Sequence, residues 1–342
     1  MATIGHPAFR ILLEKFGFCD EYFTEMINAG SLLTKGTFEK FYINPAPAPN
    51  KIVWQLTGKS AETMEEATKV LSELPGIGID LNMGCSAPDV YKYGAGIAWM
   101  LKPIEETQEM VRRVRNGVPS QKRLSVKLRL GDDNFTDEGF FSFCDMLISE
   151  GVEMLTLHPR TKKEKLVRPP RYSYCQKLAE MAAKKGIPVV VNGNIKDSAS
   201  ADYAAKSVPQ AYGLMISRAA VQKPWIFYEL ARDLKICSKN HACTSGTNVE
   251  NVEPLEEKLE IPESLSVDMK QLALDYINDV EIYQPPEFWK TRLQRFFFYF
   301  ADNFKFAHYA QTQFLNASNN DDLRNRINDF FEKCPEEKIK II

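Results

Sequence analysis

The chain has 342 residues, 44% of them hydrophobic, and a formal net charge of −2 at pH 7. It is long enough for a large core and exceeds one typical domain, so two domains are expected; the near-neutral charge argues against a surface built throughout for nucleic acid. No segment approaches the roughly 20 apolar residues of a membrane span, the N-terminus lacks the pattern of a secretory signal, and seven scattered cysteines fit reduced thiols, so a cytoplasmic protein is expected. A metal-free monomer is the accompanying expectation.

In chain order, a helix is expected from Pro7 to Phe16, so close to the first residue that any preceding strand is missing or reduced to Met1–Ile4. Apolar runs follow: Glu21–Met26, Ile52–Thr57, Ile77–Met83, Leu124–Leu130, Met154–His158, Pro188–Val191 and Tyr212–Ile216. Helical spacing separates them. Met64, Ala67, Val70 and Leu71 share a face after Ser60, and Phe140, Phe143, Cys144, Leu147 and Ile148 do so after Thr136 and Asp137. Such alternation implies parallel strands joined by helical crossovers.

The expected fold is therefore α/β, a (β/α)8 TIM-type barrel over residues 1–233 with its first strand truncated or missing. A polar, Glu-rich linker or surface excursion (234–264) and a small helical domain (265–342) should follow. Cys237, His241 and Cys243 lie in the linker, and their spacing matches no standard zinc pattern. The run Phe296–Phe300 reads as helix core.

Polar residues stand where the strands end, on the face where such barrels do chemistry. They are Glu25, Gln55, Asn82 with Cys85, Lys127 with Arg129, His158 with Arg160, Asn192-Gly193-Asn194, and Ser217 with Arg218. A single one is easily a satisfied structural group, and a lone cysteine is more often core than catalyst. Together they are hard to explain as packing, because buried amides and charges without partners cost several kcal/mol each (~2–7). Lys127 and Arg129, two apart, share one side of a strand, and Gly193 permits close backbone approach. The set fits a phosphorylated aromatic cofactor across the barrel mouth.

Charge is uneven along the chain. From Arg160 to Arg171 six basic residues face one acidic residue, and Lys290, Arg292, Arg295 and Lys305 mark a second basic stretch. Both are candidates for gripping phosphates.

The motifs TEMINAG (24–30), QLTG (55–58), DLNMGCSAPDVYKYGAG (80–96), VKLRLG (126–131), LHPRT (157–161), VNGNI (191–195) and MISRAAVQKPWIF (215–227), in this order, resemble those of the tRNA-dihydrouridine synthases over roughly residues 1–230. The resemblance implies an FMN enzyme that uses NADPH to reduce the C5=C6 bond of particular uridines in tRNA. It implies FMN contacts from Met1, Gln55, Lys127, His158, Asn192, Gly193, Asn194, Ser217 and Arg218. Asn82 is expected on the uracil ring, with Lys92, Arg160, Arg168, Arg171, Arg292 and Arg295 toward the tRNA. Cys85 is expected to protonate C5, since an ordinary thiol is mostly protonated at neutral pH.

Some positions depart from the family pattern. Ser86 replaces a proline, Asp89 a lysine, Pro159 a glycine, and Ser217 and Ala219 glycines; Met1 and Ala2 fall inside the first motif, as a misplaced start would produce. Two other readings follow: an FMN barrel reductase of a small pyrimidine or enone, and a non-catalytic tRNA-binding homologue.

Overall fold

A computed structural model describes residues 2–164, 167–234 and 261–342. Met1, Cys237, His241, Cys243 and most of the expected linker lie outside the described residues. All seven apolar runs contribute to one parallel sheet; of the first only β1 (Tyr22–Phe23) is strand, and β2 (Ile27–Asn28) follows just past its expected end. Then come β3 (Ile52–Thr57), β4 (Gly78–Met83), β5 (Arg123–Leu128), β6 (Met154–Leu157), β7 (Val189–Asn192) and β8 (Gly213–Met215), each pairing with the next. Every residue of β3, β4, β6 and β7 is buried, as expected for strands covered on both faces.

The first strand is broken by a bulge. Tyr22 and Phe23 pair with Ile52 and Val53, but Ile27 and Asn28 pair with Leu56 and Thr57, so the first strand carries one extra residue between the two pairings. The Thr24 hydroxyl oxygen takes over as acceptor from the Gln55 amide, at 3.0 Å.

The crossover helices start where side chains can cap them. The Ser60 and Thr136 side chains accept from Thr63 and Gly139 amides to begin Ala61–Ser72 and Asp137–Ser149. All five apolar residues expected on the second helix are buried. On the first, Val70 is instead 40% exposed and Thr68 takes the buried place, its hydroxyl donating to the Met64 carbonyl. Periodicity does not reveal such local satisfaction of a polar group.

Among the described residues no strand closes the barrel between β8 and β1, and Ala2–Ile4 is a turn. Two C-terminal helices pack at this side. Met269–Tyr283 lies against Pro7–Glu14, and Pro286–Phe300 against the short helix Arg218–Gln222 that follows β8. Phe296, Phe297 and Phe300 are fully buried, each contributing roughly 1.5–3 kcal/mol, and Phe296 stacks on Tyr276 at 3.9 Å. The final helix runs Asn320–Lys333, beyond the Arg324–Phe331 read from periodicity, because Asn319 caps it earlier. A further pairing had no signal in the pattern: β9 (Ser266–Asp268) with β10 (Ile339–Ile341), antiparallel. Among the described residues no helix is long and apolar enough to cross a membrane.

Candidate active site

With side chains alternating along each strand, Gln55, Asp80, Asn82, Ser125, Lys127 and Thr156 come to one side through the pairings Gln55 with Asp80, Asn82 with Lys127, and Lys127 with Thr156. Four of them, Asn82, Gln55, Asp80 and Ser125, form a chain of hydrogen bonds. Asn82 Nδ2 donates to Gln55 Oε1 (2.8 Å), and Gln55 Nε2 donates to Asp80 Oδ2 (2.8 Å). Ser125 Oγ donates to the other Asp80 oxygen (2.7 Å). Burial pushes the Asp80 carboxyl up to about 6, against the pull of these donors. At pH 7 it is chiefly a carboxylate, so the two amides keep fixed orientations.

Asn82 Oδ1 accepts from the backbone amides of Gly84 (3.2 Å) and Cys85 (2.9 Å). The buried chain therefore holds the turn that carries the thiol. Arg129 Nε donates to the Gly84 carbonyl (2.9 Å), pinning the turn from the β5 side. Behind the thiol, Ile97 N donates to the Cys85 carbonyl (3.0 Å), where Gly96 has φ +60° and a Cβ would stand 2.6 Å from that oxygen. Only glycine fits there. Cys85 itself is partly exposed.

The mouth is electropositive. His158 is driven down to about 2, by burial first and then by Lys127, Arg129, Arg160 and Arg218. A neutral ring follows, and Arg160 Nη1 donates to its Nε2 at 2.8 Å, leaving the ring proton on Nδ1. Lys127 is lowered to about 8 by burial and then by Arg129. Among the described residues no carboxylate forms an ion pair with Lys127, Arg129 or Arg218. Gly193, at φ +124°, brings its backbone against His158: a Cβ there would meet the imidazole Cδ2 at 3.1 Å. Its carbonyl accepts from the Tyr172 hydroxyl at 2.5 Å, and Asn192 Nδ2 donates to the Met215 carbonyl at 2.7 Å. Unpaired cations around a polar floor, with the Thr156 hydroxyl buried and unpartnered, suit an anionic ligand with hydrogen-bonding edges such as FMN.

Gln55, Asn82, Cys85, Lys127, His158, Asn192 and Gly193 are thus gathered at one mouth. Asn194 is exposed at φ +56°, its Oδ1 accepting from Arg160 Nη2 (3.0 Å); Ser217 is partly exposed and Arg218 exposed. Met1 lies outside the described residues.

Two residues expected to meet tRNA do not face solvent. Arg160 is fully buried, with Nε donating to the Arg168 carbonyl (2.6 Å) and its other nitrogens on His158 and Asn194. Arg292 is 3% exposed and ion-paired with Glu25. Both charges are spent inside the protein. Arg171 is half-buried and paired with Glu164 at 3.0 Å, while Lys92, Arg168, Lys290, Arg295 and Lys305 are exposed. Sequence reasoning overlooked Asp80 and Ser125; an acid inside the apolar strand GIDLNM was the available signal.

A parallel α/β barrel sheet with a cationic, amide-lined mouth and a thiol on a held turn at its strand ends has the architecture of barrels whose chemistry sits at the C-terminal ends of the strands. The dihydrouridine synthase (Dus) family model matches residues 1–299, and the chain belongs to that family. A probable tRNA-dihydrouridine synthase of Helicobacter pylori (strain ATCC 700392 / 26695) is 30% identical over 223 residues, 65% of this chain and 65% of that protein. One from Aquifex aeolicus is 29% identical over 69% of this chain and 73% of the relative. The mouse tRNA-dihydrouridine(47) synthase [NAD(P)(+)]-like protein is 30% identical over 67% of this chain but only 35% of its own length.

Proposed function

We propose that this chain reduces the C5=C6 bond of particular uridines in tRNA, using FMN and NADPH. The observation that carries the proposal is the Cys85 thiol on a turn held by the Asp80–Gln55–Asn82 chain, beside an unpaired cationic mouth. Gln55, Lys127, His158, Asn192, Gly193 and Arg218 would hold the flavin, which supplies a hydride to C6 when bound and reduced. Cys85 Sγ gives its proton to C5, and the thiolate regains one from solvent. Asn82 keeps one amide hydrogen free after its bond to Gln55, enough for one uracil oxygen. The target base must leave its stack, at a cost of a few kcal/mol (~2–4) that is lowest for a loop nucleotide. Arg168, Lys290, Arg295 and Lys305, all exposed, would meet tRNA phosphates.

The test is spectroscopic. Purified protein should carry FMN that NADPH bleaches and that tRNA lacking dihydrouridine reoxidises, with dihydrouridine appearing in the RNA by mass spectrometry. A flavin indifferent to tRNA, or no dihydrouridine formed, refutes the proposal.

A further inference from the structure

Beside the Cys85 turn, on the side of β3 rather than β5, lies a cavity of about 280 Å³ that the uridine chemistry above does not use. Asn28, Gly30, Thr57, Lys59, Asp89 and Tyr93 surround it, so it lies between the ends of β2 and β3 and the loop that follows the thiol. Three features point to a ligand. The Thr57 hydroxyl is buried without a hydrogen-bond partner among the described residues. Tyr93 leaves 71% of its surface open to solvent. Lys59 and Asp89 are exposed, and among the described residues neither side chain is engaged in an ion pair.

A ring face, one cation, one carboxylate and one unsatisfied hydroxyl suit a nucleobase. The ring stacks on tyrosine, the carboxylate accepts from an exocyclic amine, and the hydroxyl and ammonium meet a ring nitrogen or carbonyl. Uracil has no exocyclic amine, so Asp89 favours adenine, cytosine or guanine. An RNA strand that turns one base into the barrel mouth also unstacks that base's neighbours, and a stacking surface one loop away replaces what the neighbour loses.

We propose that this rim cavity binds an amine-bearing base next to the target uridine in tRNA. The inference rests on the tRNA reading above and adds a second contact to the same substrate. Gly30→Leu tests it by filling the cavity, since a Cβ at Gly30 meets only Asn28 Oδ1, at 3.4 Å. Tyr93→Ala removes the stacking face. With flavin content and melting temperature matching the wild type, each variant should bind tRNA about tenfold more weakly. A tRNA abasic beside the target should lose a similar factor with the wild type and none with Gly30→Leu. If both variants bind tRNA as the wild type does, the cavity inference is overturned and the uridine reading stands. A wild-type protein that neither binds nor reduces tRNA overturns that reading and this inference with it.

Discussion

Arg292 Nη1 lies 2.7 Å from Glu25 Oε1, with the two side chains 3% and 5% exposed, so a C-terminal helix is joined by a buried ion pair to the bulge of the first strand. The same helix packs against the segment after β8. The helical region thus bridges the side of the barrel between β8 and β1, where no strand lies among the described residues, and Glu25 anchors that bridge in the first strand's bulge. Burial raises the Glu25 carboxyl while Arg292 opposes the rise.

Breaking one partner of this pair strands a charge in the interior. Arg292→Met should cost about 3–5 kcal/mol, whereas Glu25→Gln combined with Arg292→Met should cost much less. Denaturant unfolding of the two variants makes the comparison. Equal losses would show that the pair itself, rather than an orphaned carboxylate, sets the stability.

Cys85 acts at the proton-transfer step alone in the proposed reaction. Cys85→Ala should keep flavin content and reduction by NADPH while slowing dihydrouridine formation by roughly 10²–10⁴-fold. Stopped-flow traces of the two half-reactions separate them. Loss of flavin in this variant would make the thiol structural.

His158 is held neutral at a folded pKa of about 2 against an ordinary value near 6.5. Only the unfolded chain takes up that proton as pH falls, so this residue loses the fold about 2 kcal/mol between pH 6.5 and pH 5. Asp80, raised to about 6, works the other way below that pH, because the folded state there binds the extra proton. Comparing His158→Gln with the wild type isolates the first effect. The stability difference should shift toward the variant by about 2 kcal/mol from pH 7 to pH 5, and parallel pH curves would contradict the assignment.

Exposed and buried arginines should part company in salt. Arg168→Ala is expected to weaken tRNA binding and to lower the slope of log affinity against log salt by about 0.7–0.9. Arg160→Ala should leave that slope alone and impair flavin retention, since its guanidinium supports His158 and Asn194. Filter binding over a range of salt concentrations measures both, and a reduced slope for Arg160→Ala would return that residue to the RNA surface.

The strand rhythm was legible because it is local. Apolar runs such as Ile52–Thr57 and capping residues such as Ser60 and Thr136 act within a few positions of themselves, and the structure places them as the spacing implies. The Cys85 turn was legible for the same reason, since an apolar strand stops and a Gly-Cys-Ser-Ala-Pro segment begins. Arg160 and Arg292 were misplaced because a basic side chain looks the same in sequence whether it meets water or a buried partner. Asp268 and Ile339, paired across β9 and β10, had no shared pattern to join them.

By itself the sequence determined the parallel α/β order, the strand-end polar set and the turn carrying the thiol, all of which follow from periodicity and from residue types at neighbouring positions. The tertiary structure alone decided which charges were buried, how Asp80 holds the Cys85 turn, and that the C-terminal helices pack between β8 and β1, where no strand lies among the described residues. Those outcomes depend on contacts between residues as far apart as Glu25 and Arg292, and the energy of a charge is set by what surrounds it in space rather than by its neighbours along the chain.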